Sequence, residues 1–131
     1  MDILETVINH IIASGLCAKK DEDIFKQYTP DEVNRAVTVF EVAGSRYHHY
    51  SGMSVRRVHI LVRDKSIRTA TQRCWDIFSI FDSEEQYITM GGTVYPYRIV
   101  GLPRRTSIDT QGRHHVRLDV NFTVNNRIQE D

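Results

Sequence analysis

The sequence predicts an α+β fold, an antiparallel or mixed β-sheet packed against two α-helices, and three observations lead to it. Two stretches, 3–16 and 67–81, repeat apolar residues at three- and four-residue steps, which indicates amphipathic helices. The segments before and after the second stretch alternate apolar and polar residues, as half-buried strands do. The chain has 131 residues, the size of one domain with one core, so we expect a single domain over 1–131.

Each predicted helix has a recognisable start. Asp2 has the side chain of an N-cap for the first helix, which should end near Gly15. Asp64 or Ser66 can cap the second helix. The apolar stripe of the second helix consists of Ile67, Ala70, Cys74, Ile77, Phe78 and Phe81. The sheet is expected to cover the apolar stripes of both helices.

Short elements are expected after the first helix. Residues 23–28 predict a short strand, and "TPDE" at 29–32 has the cap, proline and glutamate of one helical turn. Residues 36–42 are rich in β-branched side chains, which favours a strand. The turn residues at 43–45 should end that strand.

The remaining strands surround a predicted loop and the second helix. We expect a long exposed loop over 46–54, because it lacks any period, and a strand over 58–62. Beyond the second helix we expect strands over 86–90 and 93–101, joined by a turn at Gly91 and Gly92. The last strand, 116–124, alternates without a break and should have one buried face and one polar face.

Net charge gives no sign of nucleic-acid binding. Seventeen basic and seventeen acidic residues cancel. Arginines do cluster locally: Arg56 and Arg57 with Arg63, Arg68 with Arg73, and Arg104 and Arg105 with Arg113. In a neutral chain, ion pairs within one subunit or with a neighbouring subunit are a better explanation of these clusters than a phosphate track.

No motif indicates catalysis, a cofactor or a metal. The adjacent pairs His48/His49 and His114/His115 cannot offer two ligands to one ion from extended chain, because neighbouring side chains point to opposite sides. A metal site would need His59 and one histidine from each pair. The two cysteines have no CxxC spacing and are expected to be buried free thiols. The alternative from another class of protein is a small histidine-dependent hydrolase or nuclease.

The 109–113 loop carries Asp109 and Arg113 immediately before the last strand. Two explanations are open for this pair. The charges can meet complementary charges on another copy of the chain and fix its register. Alternatively, they close their own turn.

Two segments together resemble the tail terminator proteins of long-tailed phages, also called minor capsid or tail-to-head joining proteins. They are "VHILVRDKSIRTATQRCWDIFSIF" at 58–81 and "IDTQGRHHVRLDVNFTV" at 108–124. The matching positions are Val62, Arg63 and Asp64, then Ala70, Cys74, Ile77 and Phe81, then Asp109, Gly112 and Arg113. The resemblance covers about 36–124. The loop of Tyr47, His48, His49 and Tyr50 departs from the family pattern.

This resemblance implies a structural virion protein that is not an enzyme. It would cap the head-proximal end of the tail tube as a homohexameric ring, end tube polymerisation and join the tail to the head. The implied partners are other copies of the chain, the tail tube protein and the head–tail connector (stopper) protein. No membrane and no sequence-specific nucleic acid is expected, although DNA would pass through the ring.

The same resemblance implies where contacts and assembly occur. Subunit contacts are implied at Arg63, Asp64, Asp109 and Arg113. The loop of Tyr47, His48, His49 and Tyr50 departs from the family pattern, and its tyrosines by themselves favour a contact with a particular partner. Assembly would take place in the host cytoplasm. The alternative within the same particle is another connector component, such as a stopper or head completion protein.

Overall fold

A computed structural model describes residues 2–17, 21–46 and 52–125 of the chain. Within these residues, the α+β prediction is confirmed by two helices and seven strands. In chain order they are α1 (Ile3–Ala13), β1 (Ile24–Lys26), β2 (Ala36–Arg46), β3 (Met53–Asp64), α2 (Ile67–Phe81), β4 (Tyr87–Met90), β5 (Thr93–Ile99), β6 (Arg104–Ile108) and β7 (His114–Asn125).

The strands form one mixed sheet in the order β1-β2-β3-β7-β5-β4, with β6 also paired to β7. The β1–β2 pair is parallel and the other pairs are antiparallel. One edge of β7 pairs along its whole length with β3. Its other edge pairs with β6 in the first half and with β5 in the second half. The long β3–β7 ladder is therefore the centre of the sheet.

The core lies between one face of this sheet and the two helices. Opposite each other in the β3–β7 register are Val62 and Val116, Ile60 and Leu118, and Val58 and Val120, all buried. On α2, the buried residues are Ala70, Cys74, Ile77 and Phe81. The alternation predicted for the last strand and the helix stripe are thus confirmed, except that Ile67 and Phe78 are only partly buried at the rim of the core.

Side chains at the predicted positions cap both helices. The Glu5 amide donates to Asp2 Oδ1 at 2.8 Å, and the Thr69 amide donates to Ser66 Oγ at 3.2 Å. Asp64 also contributes, since its Oδ1 accepts the Ser66 amide at 2.9 Å. Both residues proposed for the start of α2 therefore take part, with Ser66 as the N-cap itself.

The helical turn predicted at 29–32 is wrong. The segment forms an isolated turn in which the Val33 amide donates to Pro30 O at 3.1 Å. The Pro30 carbonyl accepts the Arg63 guanidinium as well as the Val33 amide, and the Val33 carbonyl also accepts a hydrogen bond from Arg63. A distant side chain thus takes acceptors that a continuing helix would need.

The turn predicted at 43–45 is also wrong, because β2 continues to Arg46. The register between β2 and β3 shifts between Val42 and Ser45, which indicates a β-bulge. A Cβ atom at Gly44 would overlap the Val55 carbonyl, so this close approach requires glycine.

The strands also shorten the loop predicted over 46–54, since β3 already begins at Met53. Tyr47, His48, His49 and Tyr50 lie outside the described residues. Strand β6 was missed, because all five of its residues are exposed and they show no alternation.

Cys17 and Cys74 are free and buried, as predicted. In the described ranges, neither helix has the length and hydropathy needed to cross a bilayer.

The first prediction concerns the core. Phe122→Ala should lower the free energy of unfolding by about 3–5 kcal/mol, because Phe122 is fully buried and contacts Tyr97. Phe78→Ala is the matched control and should cost less, since Phe78 is only partly buried. Urea denaturation measures both variants, and equal losses would contradict the arrangement of the core.

Candidate functional site

The four charged residues proposed as contacts lie together at one end of the sheet. Arg63 and Asp64 at the end of β3 pair with His115 and His114 at the start of β7. The Asp109 turn lies directly before β7, because it joins β6 to β7. All four residues therefore lie near one another at this end of the sheet.

Asp109 organises the turn between β6 and β7. Its Oδ1 accepts the Gln111 amide at 2.9 Å and the Arg113 amide at 3.1 Å. Its Oδ2 accepts Arg113 Nε at 2.8 Å and His115 Nε2 at 3.1 Å. Gly112 has φ +77°, the left-handed conformation that a tight three-residue hairpin loop needs.

Arg113 and Arg63 hold the 30–33 turn against the sheet. Arg113 Nη2 is 2.9 Å from Asp31 Oδ1, and Arg113 Nη1 donates to Asp31 O at 2.5 Å. Arg63 Nη2 donates to Pro30 O at 2.9 Å and also to Val33 O. Arg113 is 3% exposed and Arg63 is 8% exposed. We call Arg63, Arg113 and the 30–33 turn the arginine clamp.

The electrostatics of the clamp follow from burying two guanidinium groups close together. Desolvation, with a contribution from the nearby Arg113, lowers the pKa of Arg63. A hydrogen bond from Arg113 lowers the pKa of Asp31. Desolvation favours the neutral acid of Asp109, but hydrogen bonds from His115, Arg113 and Gln111 hold its pKa well below the usual range. Two ionised carboxylates therefore offset the buried positive charge.

All four predicted contact residues form contacts within the chain. Asp64 Oδ2 accepts Arg35 Nε at 2.7 Å and is only slightly exposed. Asp109 and Arg113 bind each other across their own turn, so that explanation is confirmed. A contact with another copy stays a prediction. Sequence reasoning missed Asp31 and Arg35, and the only local signal was the turn residues at 29–32.

A second group of charged and polar residues lies on the sheet face opposite the helices. We call this group the open face; it comprises Arg57, His59, Arg98, Arg104, Arg117, Asp119 and Asn121, which alternate with core residues in β3, β5, β6 and β7. The 27–34 segment covers only the neighbouring end of this face, around a cavity of about 200 Å³ lined in part by Thr38, Leu61 and Arg63.

Asp119 is the acceptor at the centre of the open face. Its Oδ2 accepts Arg104 Nη2 at 2.8 Å, and its Oδ1 lies 2.8 Å from Arg117 Nε and 3.5 Å from His59 Nε2. Desolvation lowers the pKa of His59, against the attraction of Asp119, and the neighbouring arginines lower it further. His59 also meets the Phe40 ring edge to face, with 5.3 Å between centroids.

The described part of the chain contains no group of three or more His, Cys, Asp or Glu residues arranged to hold a metal ion. Burial raises the pKa of the Cys74 thiol to about 12, which disfavours a thiolate there. A cleft of about 660 Å³ beside α2 is lined by Asp23, Arg35, Arg68, Thr69, Gln72, Arg73 and Asp76. That lining is polar and charged, with three arginines and two carboxylates.

One protein family matches most of the chain. The family model described as "Bacteriophage tail terminator protein" covers residues 10–126. No curated protein matches. A solved structure whose name gives no function aligns over 90% of this chain and 94% of its own, with 14% identity and a TM-score of 0.47. A likeness of that size bears on neither function nor partners.

The second prediction concerns Asp109 and pH. The folded state depresses the pKa of Asp109, so its stabilisation is complete above the unfolded pKa of about 4 and is lost as pH falls towards the folded value. Asp109→Asn should therefore be less stable than wild type at neutral pH. The difference in unfolding free energy should shrink as the pH is lowered below about 5.

Urea denaturation at several pH values measures this difference. Glu84→Gln serves as a control, because Glu84 is an exposed carboxylate of the loop after α2. A gap between wild type and Asp109→Asn that does not change from neutral to acidic pH would show that the Asp109 charge is not what stabilises the turn. Charge reversal at Asp109 would disturb the clamp itself, so it tests folding before it tests association.

Proposed function

Since the chain belongs to the bacteriophage tail terminator family and is a structural protein of the virion tail, we propose that it caps the head-proximal end of the tail tube as a hexameric ring. The ring ends polymerisation of the tube with one face and presents its other face to the head. The family match carries this proposal, and it confirms the resemblance found in the sequence. The family is a structural one and not an enzyme family.

The proposed partners are three proteins. Copies of the chain form the ring, the tail tube protein binds one face, and the head–tail connector (stopper) protein binds the other. Assembly takes place in the host cytoplasm, and DNA passes through the ring without sequence-specific recognition.

The ends of the sheet support a closed ring. A cyclic assembly needs two different, complementary surfaces on each copy. The path of the sheet ends in β1 on one side and in β4 on the other, and each of these strands, like β6 beside β7, pairs with one neighbour among the described strands. Unpaired edges of this kind accept a strand or loop from another chain. Because β1 and β4 differ in length and sequence, they offer unlike surfaces.

An exposed apolar patch lies beside the β4 edge. Tyr87 and Pro96 are opposite each other in the β4–β5 pairing, and Val94 lies on the same face. Tyr87 is 44% exposed and Val94 is 54% exposed. We call Tyr87, Val94 and Pro96 the hairpin patch. Contiguous apolar and aromatic surface of this kind is characteristic of protein contacts, so we assign the hairpin patch to the contact between copies.

The third prediction tests the hairpin patch. Val94→Glu should keep the fold, because the Val94 side chain is largely in solvent, but it should place a charge in the contact and shift rings to monomers. Circular dichroism checks the fold, and light scattering with negative-stain microscopy checks the assembly. Ser79→Glu adds the same charge to the exposed face of α2 and should leave the ring intact.

Two results of that experiment would contradict the assignment. Rings of normal diameter formed by Val94→Glu would show that the hairpin patch does not take part in the contact between copies. Wild-type protein that stays monomeric even when mixed with tail tube protein would contradict the ring itself.

The fourth prediction tests termination. A phage that lacks this gene should produce tails longer than wild type and without heads, because nothing stops tube growth. Supplying the wild-type gene in trans should restore normal length and infectious particles. Electron microscopy of lysates measures the length distribution. Headless tails of normal length would instead assign the chain to a stopper or head completion role.

A further inference from the structure

The open face is basic although the chain as a whole is neutral. Among its described residues are four arginines, Arg57, Arg98, Arg104 and Arg117, and one carboxylate, Asp119. The charge is therefore segregated within the molecule, since the 17 basic and 17 acidic residues balance only over the full sequence. Such a local field attracts a partner of opposite sign even when the net charge is zero.

The arginines form two rows across the strands. Arg98 on β5, Asn121 on β7 and Arg57 on β3 lie directly opposite one another in the sheet register. Arg104 on β6 lies opposite Arg117 on β7, four residues along that strand. Strand geometry separates Arg57 from Arg98 by about 10 Å and one row from the other by about 13 Å.

Pairing within the chain offsets part of the charge of one row only. Arg104 and Arg117 share Asp119. Arg57 and Arg98 are exposed, and neither forms an ion pair with a described carboxylate. Like charges directly opposite one another in a sheet lower its stability, so the Arg104–Arg117 pair has a cost that a neutral polar pair would not have. An anion bound on this face would offset that cost.

We propose that the open face binds the phosphate backbone of double-stranded DNA without reading its sequence. A duplex presents phosphates at regular intervals along two strands, which suits arginines spread over an area of about 10 by 13 Å. Arginine binds phosphate with paired N–H donors, and Asn121 lies between two arginines as a neutral donor. In the part of the chain that the structure describes, this face presents no helix or two-stranded ribbon to a groove, so base edges are not contacted.

The other anionic partner is a loop on a second copy. Asp82, Glu84 and Glu85 follow α2 and are exposed. These carboxylates are concentrated in four residues, whereas the arginines are spread over four strands. The loop would therefore reach part of the face, while a duplex can reach all of it. The DNA proposal does not depend on the ring, because every copy carries the whole face.

The experiment measures binding of a fluorescent duplex of about 30 base pairs to purified protein by anisotropy, from about 50 to 300 mM salt. Wild type should bind two unrelated sequences with equal affinity, and the affinity should fall steeply as salt rises. The variant Arg57→Glu/Arg98→Glu changes two exposed residues without an ion pair, so it should keep the circular dichroism spectrum and melting temperature. Its affinity should fall by about tenfold or more, with a salt slope smaller by about two.

A matched control carries the same change of net charge elsewhere. Lys65 and Arg68 are exposed near the start of α2, outside the open face. Lys65→Glu/Arg68→Glu should bind DNA within about twofold of wild type, because the phosphate contacts are retained.

Four outcomes would overturn the proposal. Equal loss of affinity in both double variants would indicate a general charge effect. A preference of more than about tenfold for one sequence would show base readout. An affinity that does not change with salt would exclude phosphate contacts.

The fourth outcome is wild-type protein that does not bind the duplex and instead self-associates in low salt. Loss of that association in both Arg57→Glu/Arg98→Glu and Glu84→Lys/Glu85→Lys would identify the acidic loop as the partner. Tail length in the gene-deletion phage is a separate measurement, so failure of DNA binding leaves the terminator proposal standing.

Discussion

The antiparallel pairing of β3 with β7 is the constraint on which the rest of the structure depends. It joins twelve residues on each strand in one continuous register, from Met53 with Asn125 to Asp64 with His114. Because side chains alternate along a strand, this register puts one set of residues under the helices and the other set on the open face. A slip of one residue would exchange the two sets, so the core and the charged face are fixed by the same pairing.

The arginine clamp closes one end of that ladder. Arg63 and Arg113 are buried, and a buried guanidinium is tolerated only when its donors are satisfied. Carbonyls of the 30–33 turn and the Asp31 and Asp109 carboxylates meet most of that demand, although Arg63 Nε has no hydrogen-bond partner among the described residues. The clamp thus ties a segment before β2 to the turn before β7. Little of either arginine remains exposed for a partner, and the edges and the open face are more accessible surfaces.

The sequence predicted the elements whose residue pattern is set by burial of one face. The helix stripe of α2 and the alternation of β7 were recognised because their periods are set by burial against the core. The TPDE segment has the local signal of a helix start, but Arg63, more than 30 residues away, takes its carbonyls. Gly44 signals a turn or a bulge equally well, and only the approach of Val55 decides between them. Strand β6 has no apolar face, so its pairing with β7 leaves no trace in the sequence.

The position of the candidate site could be predicted from the sequence only in part. Arg63, Asp64, Asp109 and Arg113 could be placed together because each lies at the end of a recognised element, whereas Asp31 is 82 residues from Arg113. The sequence predicts which positions of β7 are polar. Which side chains these residues contact depends on the strands next to β7.

Asp119 explains how the open face can exist before a partner arrives. It offsets one of the two positive charges of the closest arginine pair, Arg104 and Arg117, so the sheet can form without an external anion. Arg57 and Arg98 are about one Debye length apart at physiological salt, so their mutual repulsion is small and needs no internal carboxylate. The face can therefore fold unaided and still keep two arginines for a ligand. A second carboxylate in the Asn121 position would neutralise those arginines within the chain and leave the face little attraction for an anion.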